Sequence, residues 1–342
     1  VPVSRILITG AAGMVGSHLL EHLAEASAGV ARQAALPRAG GLDAKVLGSF
    51  HAPTIDMADI EGRFCLAPLD VTQRGAVADL IAAFRPDTIY HLAAQSLPVV
   101  SWQNPWETME VNVIGTVNVF EAIKALRLRV PDYDPMVVVA CSSAQYGASL
   151  APANLPIGED TQLLPLHPYG VSKVAQDLLA FQYWCNDRIR SIRARIFNCT
   201  GPRKRNDVVS DFAARIAAGL RAGQAGPIVL RVGNLETRRA ILDVRDLVTA
   251  LTALAAHGSP GEAYNICAEQ AHRIADLVGI FEHIAGRTLL CQPDPMLYRP
   301  SDEPIILGSS QRLHAACGWR QAVSIEQTLA RVLAYEMDHP RQ

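Results

Sequence analysis

No stretch of this 342-residue sequence approaches the roughly 20 consecutive apolar residues that a bilayer-spanning helix needs. Neither charge dominates: 31 Lys and Arg stand against 33 Asp and Glu, a net charge of −2. No general attraction to nucleic acid or to an anionic membrane is therefore expected. Basic residues are not blocked together; the densest group, Arg203-Lys204-Arg205, reads first as a solvated loop and second as a phosphate contact. The seven cysteines, at 65, 141, 185, 199, 267, 291 and 317, include no CxxC pair. No cysteine–histidine set has zinc spacing, so no metal is expected. An odd count of scattered thiols fits a reducing, cytoplasmic compartment. The first residues run straight into a strand with no basic n-region and cleavage site, so no export signal is expected. No internal repeat or low-complexity segment shows.

What is present is the composition of a globular protein, 49% hydrophobic and 19% charged, of one large or two moderate domains. Residues 5–9 (RILIT) read as a short buried strand. Gly10-Ala-Ala-Gly13-Met-Val-Gly16 follows, then a helical pattern through Leu19, Leu20 and Leu23. Gly10 permits a tight turn, Gly13 lets the backbone approach a pyrophosphate at the helix N-terminus, and Gly16 allows helix–strand packing. The spacing is GxxGxxG rather than GxGxxG, and the strand before it with the helix after it is what gives it weight. A second strand is expected near residues 30–36. No Asp or Glu stands where a ribose 2′-hydroxyl would be held; Arg32 and Arg38 would suit a 2′-phosphate, so NADP is favoured and NAD left open.

Residues 64–69 read as a third strand ending at Asp70, which is expected to approach the adenine. Residues 87–93 (DTIYHLA) form a fourth, followed by Ala94-Gln95-Ser96, small enough for a flat ligand to lie on the sheet edge. A helix from about 106 to 126 contains Asn112. A continuously apolar strand over 137–141, a loop over 151–168, a helix over 169–186 and a strand over 193–197 complete the alternation. Strands alternating with helices imply an α/β fold with a doubly wound parallel Rossmann sheet. Beyond 198 the alternation loosens: helices are expected over 210–222, 246–256, 274–285 and 324–336, and strands over 228–232, 241–244 and 262–266. The expected division is a cofactor domain over 1–197, with a returning segment at about 240–257, and a smaller C-terminal α+β substrate domain over 198–342.

The central stretch, 140–173, opens with ACSSAQYG and closes on YGVSK. Tyr169 and Lys173 are i and i+4 on one helix face. A phenol's pKa of about 10 is too high for it to be available as a base at neutral pH, and a neighbouring ammonium lowers that value. With a serine hydroxyl at the end of the fifth strand, the set can exchange a proton during carbonyl–alcohol interconversion while a nicotinamide cofactor moves the hydride. YxxxK alone is a weak signal; its combination with the glycine turn and SSAQYG is a strong one. His91 is expected to pack at its strand end, Asp243 and Asp246 to set a turn and a helix cap, and Cys141 to be a buried thiol.

Over almost its whole length the chain resembles the extended short-chain dehydrogenase/reductases that act on nucleotide sugars. The motifs that carry this are GAAGMVG, LDVT, HLAAQS, NVIGT, SSAQYG, PYGVSK, FNCTGP, GNLETRR and DVRD. FNCTGP, VVSDFA, VGNLETRR, DVRD and YRPSDEPIILGS most resemble the GDP-4-keto-6-deoxy-mannose reductase and GDP-mannose 4,6-dehydratase group. The resemblance puts the catalytic set at Ser142, Tyr169 and Lys173. It implies cofactor contacts at Gly10, Gly13, Met14, Val15, Gly16, Arg32, Asp70, Val71, Leu92, Ala93, Ala94 and Asn112, besides Tyr169 and Lys173. It implies substrate contacts at Gln95, Ser96, Ser143, Asn198, Val209, Arg231, Asn234, Arg239 and Arg299. Arg239 and Arg299 are the expected diphosphate partners.

Two positions depart from the group. Dehydratases keep a glutamate two residues after the serine or threonine; here that position is Ala144, with Gln145 following, which disfavours 4,6-dehydration. Ala240 stands where relatives usually have aspartate. The resemblance implies an NADP-dependent reductase of a 4-keto-6-deoxyhexose linked to GDP. The alternatives are a nucleotide-sugar 4-epimerase with retained NAD, or, from another class, a non-catalytic NADP-binding scaffold. The helices near 105–126 and 169–186 resemble those that build a dimeric four-helix bundle, so a homodimer is expected.

Overall fold

The structure, a computed structural model, describes residues 4–28, 45–223, 226–298 and 303–341. The expected strand at 30–36, with Arg32 and Arg38, and also Arg299 lie outside the described residues. The first half of the chain runs β1 (Ile6–Thr9), α1 (Met14–Ala28), β2 (Val46–Phe50), β3 (Leu66–Pro68), α2 (Arg74–Phe84), β4 (Thr88–His91), α3 (Pro98–Gln103), α4 (Pro105–Met109), α5 (Gly115–Arg127), β5 (Met136–Ser142) and α6 (Pro168–Asp187). The second half runs β6 (Ser191–Ile196), β7 (Cys199–Thr200), α7 (Val208–Arg221), β8 (Ile228–Val232), β9 (Arg238–Arg239), β10 (Leu242–Asp243), α8 (Val244–His257), β11 (Ala263–Ile266), β12 (His272–Arg273), α9 (Ile274–Ala285), β13 (Leu289–Pro293), β14 (Ile305–Ile306), α10 (Gln311–Cys317) and α11 (Ile325–Asp338).

Seven parallel strands form the central sheet in the order β3-β2-β1-β4-β5-β6-β11. Its continuous apolar strands are explained by two covered faces. Along β5, Met136 and Val138 point to one core, with Leu19 and Leu20 of α1 and Leu247, Leu251 and Leu254 of α8. Val137, Val139 and Cys141 point to the other, with Ile81 and Phe84 of α2, Phe120 and Ile123 of α5, and Ala180 and Tyr183 of α6. Period-2 alternation thus feeds two cores from one apolar run. A third core gathers Phe212 and Ile216 of α7, Leu230 of β8, Leu277 and Phe281 of α9, and Leu329 and Val332 of α11.

The doubly wound parallel sheet matches the expectation, and its strand at Val46–Phe50 was not expected. The neighbour of β1 is Val46–Phe50, because Gly48 hides it from an apolar-run reading. A Cβ at Gly48 would lie 2.7 Å from the Ala11 Cβ and 2.9 Å from the Leu66 Cδ2, so the strand keeps a glycine to let its neighbours in. Also not expected were α3, α10 and β13. β13 pairs in parallel with β8, a long-range pairing that local periodicity does not carry. The helix expected over 106–126 is observed as α4 and α5 joined by a π-helical turn at Glu110–Ile114. Extra residues of this kind inside a helix collect at functional sites.

Candidate active site

The carboxyl ends of β1, β4 and β5 define one rim of the sheet. At β1 the chain turns through Gly10 with φ +73°, where a Cβ would lie 2.7 Å from the Ala93 N. At Gly16 a Cβ would lie 2.4 Å from the Gly10 carbonyl oxygen. Gly10 and Gly16 are thus required by conformation and by close approach. Gly13 meets only the Gly10 oxygen at 3.3 Å and Thr54 Oγ1 at 3.8 Å, so its face stays open over the first turn of α1. Met14 and Val15 open that turn, and free N–H groups at a helix start favour an anion. This cradle fits the pyrophosphate of a dinucleotide.

Around it, Asp70 Oδ1 accepts from the Thr72 N–H at 2.9 Å and from Thr72 Oγ1 at 2.8 Å. Burial works against its ionisation, but these bonds and His51 keep the carboxyl below its usual range. Val71 is buried, and a Cβ on Gly115 would touch its Cγ2 at 2.7 Å. Leu92, Ala93 and Ala94 follow β4, with the Ala93 N–H donating to Thr9 Oγ1 at 3.2 Å. His91 is a structural residue at the strand end. Its Nδ1 faces Thr9 Oγ1 at 2.9 Å and its Nε2 faces Thr116 Oγ1 at 3.0 Å, while burial pushes its pKa down to about 3. Thr116 Oγ1 donates to the Asn112 carbonyl and accepts from Gln176 Nε2, which assigns the neutral ring its proton on Nε2.

Asn112 sits in the π turn, fully buried. Its amide nitrogen donates to the Gln95 carbonyl at 3.0 Å and to Ser172 Oγ at 2.9 Å, and its oxygen accepts from the Gln95 N–H at 2.8 Å. The side chain expected to touch cofactor ties the loop after β4 to α6. Gln95 in turn donates from Nε2 to the Leu97 carbonyl, and Ser96 is exposed.

Ser142, Tyr169 and Lys173 converge at the end of β5. Ser142 caps a 3-10 turn, Ser143–Gln145; its Oγ accepts from the Ala144 N–H at 3.2 Å, which leaves the hydroxyl proton free to be donated. Ser143 is buried. Gln145 accepts the Ser142 N–H at 2.9 Å and donates from Nε2 to Asp177 Oδ2 at 3.1 Å. Asp177 is fully buried and paired with Arg195 at 2.7 Å and Arg193 at 2.9 Å. Gln145 is thus a brace behind the serine, and an amide so placed is no substitute base. On α6, Lys173 donates to the Ala140 carbonyl at 2.8 Å, and its Nζ lies 5.7 Å from the centre of the Tyr169 ring.

The electrostatics differ from the sequence expectation. Burial pushes the Tyr169 phenol up to about 12, while hydrogen bonding with Ser142 acts in the opposite direction. Burial likewise pushes Lys173 down to about 8. The ammonium is held by a backbone carbonyl and does not lower the phenol, so the side chain is a protonated acid at neutral pH.

The expected substrate contacts are dispersed. Asn198 follows β6 with its Nδ2 lacking a partner among the described residues. Val209 is 1% exposed and lies within the third core, so its side chain does not line a pocket. Arg231 is exposed on β8 and 3.8 Å from Asp294. Asn234 is exposed and accepts from the Glu236 N–H at 3.0 Å. Arg239 is half-buried and donates from Nη1 to the Glu303 carbonyl at 2.8 Å. Ala240 is fully buried among the sheet residues. Asp243 caps α8 through the Arg245 N–H, and Asp246 accepts from the Ala322 and Val323 N–H groups. Among the described residues no three side chains converge as metal ligands. His167, which caps α6 beside Tyr169, was not singled out by the sequence; its position directly before Pro168 was the available signal.

The family model described as GDP-mannose 4,6 dehydratase matches residues 7–332. The chain is 30% identical over 331 residues to the GDP-6-deoxy-D-mannose reductase of Pseudomonas aeruginosa, covering 96% of each protein. The structure of RMD from Pseudomonas aeruginosa complexed with NADPH superposes with a TM-score of 0.78 at 30% identity, covering 98% of this chain and 99% of that one. A putative epimerase from Burkholderia cenocepacia J2315 gives 0.81 at 27% identity, covering 98% and 99%.

Proposed function

The chain belongs to the GDP-mannose 4,6 dehydratase family, and from that premise we propose that it reduces a 4-keto-6-deoxyhexose linked to GDP, with NADPH as reductant. The observation that carries this reading is the pairing of a protonated Tyr169 with Ala144. The phenol is held up to about 12 by burial and is a proton donor at neutral pH. Ala144 cannot remove a sugar proton, and Gln145 is turned away into the Asp177 pair. A site with an acid and no carbon base suits carbonyl reduction rather than dehydration.

When bound, NADPH supplies the hydride for the carbonyl carbon. Tyr169 donates its proton to the oxygen that becomes the hydroxyl. Ser142 hydrogen-bonds the same oxygen, oriented by the Ala144 N–H and Gln145 behind it. Lys173 holds the cofactor ribose with the donors that Ala140 does not use. The glycine turn and the start of α1 receive the pyrophosphate, and Asn198 and Arg239 hold the nucleotide diphosphate. NADP over NAD is supported at the end of β2. Asp56 caps the turn Met57–Asp59, Asp59 pairs with Arg203 at 3.1 Å, and His51 is the exposed residue at the strand end. A free carboxylate for a ribose diol is absent among these described residues.

The direct test is oxidation of NADPH on addition of GDP-4-keto-6-deoxy-mannose, followed at 340 nm. Tyr169→Phe is expected to lower kcat by roughly 10²–10⁴-fold. Turnover of a nucleotide sugar with cofactor neither supplied nor consumed would instead establish the 4-epimerase, which the same three residues serve.

We further assign the division at about 197, with α8 returning to the first unit, on the separation of the third core from the two beside the sheet. We infer a cytoplasmic location from the scattered cysteines, among which no CxxC spacing occurs; among the described residues no helix is long and apolar enough to cross a membrane. A homodimer is supported by an apolar face on adjoining helices: Trp106 is 83% exposed and Ile114 48%, beside Val171, Leu178 and Phe181 of α6.

A further inference from the structure

His167 stands directly before Pro168, the first residue of α6. Its backbone is extended, at φ −151° and ψ 160°, and its Nδ1 accepts the Gly170 N–H at 3.0 Å. Helix starts of this kind ordinarily use a hydroxyl, amide or carboxylate oxygen, none of which changes its accepting role near neutral pH. Here the acceptor is an imidazole. A backbone N–H can only donate, so the capping nitrogen is unprotonated and the neutral ring carries its proton on Nε2.

The residue capped, Gly170, directly follows Tyr169. The His167 and Tyr169 rings are stacked, with centroids 5.9 Å apart and planes 14° from parallel. One side chain therefore both closes the first turn of α6 and packs on the phenol that turn carries. Gly170, the donor to the cap, lies against the serine turn: a Cβ on it would come within 2.7 Å of the Ala144 carbonyl oxygen. The cap consequently fixes the spacing between Ser142 and Tyr169. Burial disfavours the imidazolium, and Glu303, on the segment leading into β14, acts in the opposite sense. Glu303 is the charged group that faces the ring, and Tyr169 is the titratable one.

We propose that His167 is a positioning residue working as a titratable cap: neutral, it locks Tyr169 against Ser142, and protonated, it releases the first turn of the catalytic helix. Protonation turns Nδ1 into a donor facing a donor, so Gly170 loses its partner and a positive ring lies against the phenol. The acid limb of the reaction then belongs to His167. Tyr169, at about 12, and Lys173, at about 8, lie above the ordinary imidazole value, and His91 is pushed down to about 3.

The inference rests on Tyr169 being the proton donor, so its test includes arms that do not need turnover. In the full-length protein labelled with 15N-histidine, the resonance lost in His167→Asn is expected to show an unprotonated Nδ1 and to titrate below the ordinary value of about 6.5. The opposite tautomer, or titration above that value, overturns the cap. The second arm is unfolding as a function of pH. Because the folded value is depressed, the stabilising contribution of the neutral ring is present above about pH 6.5 and lost as pH falls. The difference between wild type and His167→Asn is expected to grow in favour of the variant below that pH; a constant difference overturns the proposal. In the third arm, His167→Ala is expected to lower kcat for the keto sugar about fivefold to tenfold at pH 8 with little change in KM. His167→Asn is expected to restore most of it and to abolish the acid limb. An acid limb that survives in His167→Asn sinks the assignment. If wild type reduces no keto sugar at all, the functional reading fails while the first two arms still decide the cap.

Discussion

Lys173 illustrates at the residue scale how a site can oppose the stability of its own fold. The residue is 3% exposed and its ammonium donates to one backbone acceptor, Ala140. Burial lowers its pKa to about 8, whereas the unfolded chain holds the proton to about 10.4. Between those values the unfolded state binds more protons, so stability rises with pH across the window and the full penalty stands below pH 8. Lys173→Met keeps the length and removes the charge. It is expected to abolish reduction while gaining on the order of 1–3 kcal/mol at pH 7, after losing one hydrogen bond. Urea unfolding at pH 7 and pH 10 checks it: the variant should lead at pH 7 and lose its lead at pH 10. The triad itself was legible in the sequence because YxxxK places two groups on one helix face whatever surrounds it. How tightly Tyr169 holds its proton was not, because that follows from burial and from where the Lys173 nitrogen is held.

At the scale of elements, the site is a junction between β5 and α6, and two devices hold it. One is Asp177 on α6, fully buried with Arg195 and Arg193 of β6 and bonded to Gln145. Asp177→Ala leaves buried guanidinium charge without its partner and is expected to cost about 3–5 kcal/mol, read as a lowered midpoint in urea. The other is the close approach of Gly170 to the serine turn. Gly170→Ala puts a methyl 2.7 Å from the Ala144 carbonyl oxygen, so α6 must move away from Ser142. It is expected to lower kcat about tenfold or more and to cost about 1–3 kcal/mol of stability, read as a lowered melting temperature. Should kcat for Gly170→Ala equal that of wild type, the spacing of these elements is not what sets the rate. Neither device shows in the sequence, since Asp177 reads as one more helix charge and Gly170 as a weak helix former.

For the whole molecule, the exposed face built from the π-interrupted helix and α6 is where a second copy would bind. Trp106→Glu places a charge in its centre and is expected to convert a dimer of about twice the chain mass to a monomer by light scattering. A wild-type monomer at micromolar concentration would remove the proposed interface. The face was readable only as a family resemblance, because exposure depends on what the rest of the chain leaves uncovered.

The sequence by itself determined the alternating sheet, the glycine turn and the Tyr169–Lys173 pair, since each is a local pattern whose meaning lies within one or two elements. Ala144, two residues from Ser142, was equally plain, and it narrows the reaction by what it cannot do. Only the tertiary structure decided that β2 lies at Val46–Phe50, that Asn112 and Gln145 are braces, and that His167 caps α6. Each of these is fixed by a neighbour distant in the chain or by a hydrogen bond whose partner periodicity does not name. Burial, finally, is a property of the packed whole, and it is burial that raises the Tyr169 phenol above its ordinary value.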